Sequence, residues 1–172
     1  MVWIASTTVS NTSTGTVSFS SIPQTFTHLQ IRGFHAGYLP STTSIDALYF
    51  SSLAGSTPSY WHSLTGDGAS ASSTGSASNI SVGIVYTMPT PTYWSNTIID
   101  ILDYTNTNKN KTVKSLSGFD RNGGGTVGLW SVLNSANTNA VTSLTLSGGG
   151  SYIANGSRFD LYGITSSQVT GA

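Results

Sequence analysis

Trp94-Ser95-Asn96-Thr97-Ile98-Ile99-Asp100-Ile101-Leu102-Asp103-Tyr104, with Tyr93 just before it, reads as the most apolar strand of the chain. Successive side chains on a strand point to opposite faces. Trp94, Ile98 and Leu102 therefore share one face, and Tyr93, Ile99 and Ile101 share the other. Two other stretches repeat the pattern. In 45–50, Ile45, Ala47 and Tyr49 oppose Leu48 and Phe50; in 126–133, Val127, Leu129 and Leu133 oppose Trp130 and Val132. An antiparallel strand with one wet face alternates apolar with polar residues instead. The second apolar face calls for a cover: a long loop, another sheet or another subunit. In a chain with so little charge, a neighbouring subunit or a larger assembly is the favoured cover.

Beyond this stretch the same residue types recur in short blocks. Strands are expected near 2–6, 15–20, 26–34, 45–51, 59–64, 80–87, 94–104, 111–119, 126–133, 141–147 and 157–164. Between them lie turn-forming clusters such as Gly66-Asp67-Gly68, Pro89-Thr90-Pro91, Asn122 to Gly125 and Gly148 to Gly150. Asn155-Gly156 is the sharpest hairpin signal, because both residues tolerate positive φ. Gly68 to Ser78 is nearly all Gly, Ala, Ser and Thr and reads as a long mobile loop. No segment has a helical period, and no 20–50-residue repeat appears. The expected fold is all-β: an antiparallel two-sheet β-sandwich, jelly-roll-like, of about ten strands in a single domain over 1–172.

Composition narrows the function. The 172 residues include 30 Ser, 25 Thr and 11 Asn, no Cys and no Glu. Six Lys and Arg balance six Asp, and charged residues are 7 % of the chain, against about 25 % in an average domain. Six scattered cations do not supply the basic patch that nucleic acid requires. No apolar run approaches the ~20 residues of a membrane span. The opening Met1-Val2-Trp3-Ile4-Ala5-Ser6 has neither the basic segment nor the apolar run of a secretory leader.

Reactive groups are sparse. His28, His35 and His62 share no motif and read as structural or surface residues. His28 lies on the Gln30/Arg32 face, which looks solvated, and His62 reads as half-buried. Asp100 and Asp103 point to opposite faces and are no catalytic carboxylate pair. Arg32 or Arg158 is the expected partner of Asp100 if it is buried. Asp103 begins a turn. Asp120-Arg121-Asn122-Gly123 opens like a calcium loop, but the chain has no closing Glu, so a turn is the better reading. The glycine triplets lack the Lys and helix of a phosphate loop, and no Gly-x-Ser-x-Gly elbow occurs. No catalytic residue, cofactor or metal is expected.

The aromatic side chains say more. Tyr60-Trp61 and Tyr93-Trp94 are adjacent pairs, so each sends one ring outward unless that side is covered. Three readings stay open for them: core filling, a subunit interface, and stacking on sugar faces.

Three stretches carry a resemblance. They are Phe19-Ser20-Ser21-Ile22-Pro23-Gln24-Thr25-Phe26-Thr27-His28-Leu29-Gln30-Ile31-Arg32-Gly33; Ile98 to Tyr104 with Asn106-Thr107-Asn108-Lys109-Asn110-Lys111-Thr112; and Ser157-Arg158-Phe159-Asp160-Leu161-Tyr162-Gly163-Ile164. With Leu129-Trp130-Ser131 and Ala140 to Leu144, and in this order, the chain resembles small all-β virion proteins and domains of tailed bacteriophages. The resemblance implies a structural virion protein, not an enzyme. A chain read as free-standing, without anchor or fibre repeat, fits a capsid decoration (cement) protein on the outer capsid surface, made in the bacterial host cytoplasm. Its implied partners are the major capsid protein and, by analogy, two further copies in a homotrimer. The alternative is a tail- or fibre-associated protein that recognises host glycans, with Tyr38, Trp61 and Tyr93 as candidate contacts.

Overall fold

The computed structural model describes residues 1–11, 15–55, 60–77, 81–135 and 137–165. These residues hold fourteen strands and no helix. In chain order they are β1 (Val2–Thr8), β2 (Thr16–Phe19), β3 (His28–His35), β4 (Gly37–Tyr38), β5 (Ser44–Leu53), β6 (Tyr60–Gly66) and β7 (Ala71–Ser76). Then come β8 (Ser81–Met88), β9 (Ser95–Leu102), β10 (Lys111–Asp120), β11 (Gly125–Asn134), β12 (Leu144–Gly148), β13 (Tyr152–Ile153) and β14 (Arg158–Ile164). Eight build a large sheet in the order β1-β14-β3-β9-β10-β11-β6-β7, and six build a small sheet in the order β13-β4-β8-β5-β12-β2. Every pairing is antiparallel except β4 with β8.

All eleven expected strands are present with shifted ends; positions 59 and 80 lie outside the described residues. Three strands were not expected. β4 and β13 are two residues long and pair with each other at the sheet edge, too short to show a period. β7 corrects the reading of Gly68 to Ser78 as a mobile loop, of which Ser78 lies outside the described residues. Residues 71–76 pair with β6 from Gly66↔Ala71 to Trp61↔Ser76. Every one of them is exposed, so backbone pairing, with one hydroxyl contact between Thr65 and Ser72 at 3.0 Å, defines the strand and no apolar side chain advertises it. The Asp67 carboxylate closes the tight turn between β6 and β7 by accepting from the Ala69 and Ser70 amides at 3.0 and 2.7 Å.

The hairpin signals also need a correction. Asn155-Gly156 is a turn, but it joins β13 of the small sheet to β14 of the large one. The Ser157 amide donates to the Ala154 carbonyl at 3.1 Å, so the turn is tight, yet its flanking strands do not pair. The Asn-Gly hairpin is instead Asn122-Gly123, both at positive φ (56° and 102°), between the paired β10 and β11. Both central residues at positive φ match the twist of a two-residue hairpin.

The sheets pack face to face. Leu29, Ile31, Ile99, Ile101, Val113, Phe159 and Leu161 of the large sheet meet Val17, Phe19, Leu48, Phe50, Val82, Leu144 and Leu146 of the small one. Each such side chain contributes about 1.5–3 kcal/mol by leaving water. β8 runs against the middle of the large sheet. There the Ser115 hydroxyl donates to the Val82 carbonyl at 2.7 Å, and the Ile84 amide donates to the Ser117 hydroxyl at 3.2 Å. His35, 1 % exposed, completes this buried polar chain. Its Nε2 lies 2.8 Å from Thr97 Oγ1, which lies 2.7 Å from Ser117 Oγ. The ring stacks on Phe159 at 5.2 Å, and burial pushes its pKa down to about 4.

The turn between β9 and β10 is organised by a buried cation. Lys111 has the parity of Val113 and Ser115, so its side chain points inward and is fully buried. Its ammonium donates to the carbonyls of Asn106, Lys109 and Thr138, the last two at 3.1 and 3.0 Å. Beside it, the Tyr104 hydroxyl donates to the Pro23 carbonyl and accepts from the Phe26 amide at 3.4 Å. Lys111 thus ties the Asn106–Thr112 turn to Thr138, and Tyr104 ties the end of the preceding strand to the Phe19–Gly33 segment.

Candidate functional site

The outer face of the large sheet is the most distinctive surface of the molecule. Antiparallel register places side chains of neighbouring strands in rows that run across the sheet. One row reads Ser6, Asp160, Arg32, Ile98, Leu116, Leu129, Leu64, Ser73 from β1 to β7. Its four central members form an aliphatic ladder over β9, β10, β11 and β6. Leu64, Leu116 and Leu129 are 53, 45 and 53 % exposed, so the described residues leave the ladder uncovered. Val127, also exposed, extends it on one side, and the exposed Leu133 and Tyr60 lie beyond the next row on the other.

The next row toward the β9–β10 turn is polar: Trp3, Tyr162, Gln30, Asp100, Lys114, Ser131, His62, Gly75. A groove of about 680 Å³ lies between the two rows, with Ile98, Leu116, Leu129 and Leu64 on one side and Asp100, Lys114, Ser131 and His62 on the other. Gln30 donates to Asp100 at 2.8 Å and accepts from the Arg32 guanidinium at 2.9 Å. Arg32 thus reaches Asp100 through Gln30. Arg158 is engaged by Asp160, with Nε 3.0 and 3.1 Å from the two carboxylate oxygens. That hydrogen bond holds the Asp160 carboxyl below its ordinary pKa. Asp103 is likewise held low, chiefly by its hydrogen bond from Lys109.

The residues singled out in the sequence scatter over this frame. Of the pair Tyr60-Trp61, Tyr60 is the outward ring. Trp61 turns inward and packs against both buried clusters. Tyr93 and Trp94 precede β9 rather than beginning it. Tyr93 meets the edge of Tyr86 at 5.8 Å, and Trp94 stacks flat on Phe34 at 4.9 Å. Tyr38 sits on the small sheet, 6.5 Å from Tyr152. Trp61 and Tyr93 pack against one buried cluster, that of Ile84, Tyr86, Phe119 and Trp130, and Tyr38 pairs with Met88 near the edge of the small sheet. His28 is half-buried beside Asp103, whose amide donates to its Nδ1 at 2.9 Å. His62 is exposed rather than half-buried, because it has the outward parity of Tyr60 and Leu64.

Sequence reasoning missed Leu64, Leu116 and Phe34 as members of the outer face. Leu116 and Phe34 are each the lone apolar residue on the outward face of their strands, and Leu64 shares its face with Tyr60 and His62; strand parity with Lys114, Arg32 or His62 was the signal available. What the face offers chemically is a wide amphipathic contact surface. Among the described residues no three His or Asp side chains gather into a metal-binding group. No family model, curated protein or solved structure matches the chain.

Proposed function

We propose that this protein is a structural component of a tailed bacteriophage particle, a capsid decoration protein that binds the outer capsid surface and stabilises it without catalysis. The observation that carries this reading is the aliphatic ladder Ile98-Leu116-Leu129-Leu64 on an open sheet face, which fits a subunit of an assembly and not a lone chain; the capsid itself comes from the resemblance. Apolar surface of that extent belongs to assembly. The virion assignment comes from the resembling stretches. They form β3, β9 and β14 with the turn into β10, which are neighbours in the order β14-β3-β9-β10. The three longest stretches therefore lie mostly side by side in the large sheet, while Ala140 to Leu144 leads into β12 of the small one. The same reading takes the two packed sheets as a jelly-roll-like sandwich.

A decoration protein with 7 % charged residues grips its shell through apolar burial and hydrogen bonds, so binding depends little on salt. Selective binding to the assembled shell draws the equilibrium away from disassembly. Particles lacking the protein should form but release DNA at lower temperature, and adding purified protein should restore resistance in both low and high salt. Unchanged heat resistance, together with lost host adsorption, would instead support the glycan-binding tail protein.

A further inference from the structure

We infer that the outer face of the large sheet is covered by the same face of a second copy, related by a two-fold axis parallel to the strands along the seam between β10 and β11. The aliphatic ladder is symmetric about that seam, with Leu116 and Ile98 on one side and Leu129 and Leu64 on the other. Rotation about the axis brings β10 over β11 of the partner subunit and β9 over its β6. Leu116 then faces Leu129 of the partner subunit, and Ile98 faces Leu64 of the partner subunit. In the polar row the same operation sets Asp100 against His62 of the partner subunit. A carboxylate meets an imidazole, and each pair occurs twice, as an isologous contact requires.

Other axes match less well. A two-fold along the ladder also overlays the aliphatic row on itself. It sets Lys114 against Gly118 of the partner subunit, Ser131 against Val127 of the partner subunit and Asp100 against Asn96 of the partner subunit, so the carboxylate and the imidazole do not meet. The size is adequate. Six strands at about 4.8 Å and seven residues at about 3.4 Å per step give an overlap of about 29 by 20 Å. That is about 580 Å² of projected area on each partner, above the ~1,000 Å² total at which specific interfaces begin. The resulting particle has four sheet layers, and because the axis runs along the strands both copies present the same strand ends in one direction, which offers a shell two identical attachment ends. Linked attachment raises avidity about 10²–10⁴-fold over one site.

Asp100 and His62 are three strands apart in one chain, about 14 Å, so a rescue between them reports a contact between chains. The full-length protein is measured by light scattering and by sedimentation over a dilution series, without any particle, so failure of the capsid reading leaves this test intact. The expected mass is twice the 17.9 kDa chain. Leu116→Glu should weaken dimerisation at least 100-fold while the circular dichroism stays that of the parent. Asp100→Lys and His62→Asp should each weaken it at least tenfold, and the double variant should recover to within about threefold of the parent. A monomeric or trimeric parent, or a double variant no better than the single ones, overturns the inference.

Discussion

Leu116 and Leu129 stand directly opposite each other across the β10–β11 pair, both on the outer face of the large sheet and both about half exposed. Their counterparts on the inner face, such as Ile101, are fully buried. Substituting Leu129 by Ser, at dilutions where the chain is monomeric, should cost less than about 1 kcal/mol, as for other surface positions. Ile101→Ala should cost about 2–5 kcal/mol. Urea unfolding of the two variants checks the contrast. Equal losses would mean that the outer face is packed within the monomer.

How far this arrangement was legible in the sequence depended on side-chain contrast. Ile98 and Ile99 announce a two-faced strand because both neighbours are large and apolar. Ala71 to Ser76 announces nothing, because its pairing with β6 is made chiefly by backbone groups that every residue carries. Strand order was not legible. The rows on the outer face follow from register, and register joins residues as distant as Asp160 and Ser6. Lys111 shows the other limit. Composition assigns a lysine beside a turn to solvent, while strand parity assigns it to the interior. The free carbonyls of Asn106, Lys109 and Thr138 make the inward position tenable, and those appear only once the chain is folded.

Removing that ammonium should therefore be costly. Lys111→Met leaves three carbonyls without their donor in a closed turn. Hydrogen bonds to a charged group contribute about 1.5–3 kcal/mol, and a loss of about 3 kcal/mol is expected on chemical denaturation. Lys111→Arg should not restore it, since a planar guanidinium does not fit a cage shaped for a compact ammonium. A variant as stable as the parent would show that solvent can replace the lysine.

His35 should give the fold a pH dependence of its own. It is neutral in the folded protein down to about pH 4, whereas in the unfolded chain it binds a proton below its ordinary value of 6.5. The unfolded state thus holds more protons in that window, and stability must fall as pH drops from about 6.5 to 4. The full loss is on the order of 3 kcal/mol, at about 1.4 kcal/mol per pH unit. Asp103 and Asp160, held low by Lys109 and Arg158, lose their contributions only below the ordinary aspartate value of 3.8. Thermal unfolding from pH 7 to 4 should show the slope, and His35→Gln should flatten it. A slope that persists in the variant would assign the effect to another group.

Binding to isolated shells should follow the dimer. If two attachment ends act together, Leu116→Glu should weaken capsid binding by at least tenfold through lost avidity, although Leu116 itself touches no capsid protein. Titration of labelled protein onto undecorated shells measures this. Equal affinity for parent and variant would show that single chains suffice.

The most direct test of a capsid decoration role is electron cryo-imaging of the assembled particle with and without this protein. Density of a two-sheet domain should repeat across the outer capsid lattice and vanish when the protein is removed, with the tail unchanged. Density confined to the tail, or a capsid surface identical in the two particles, would contradict it.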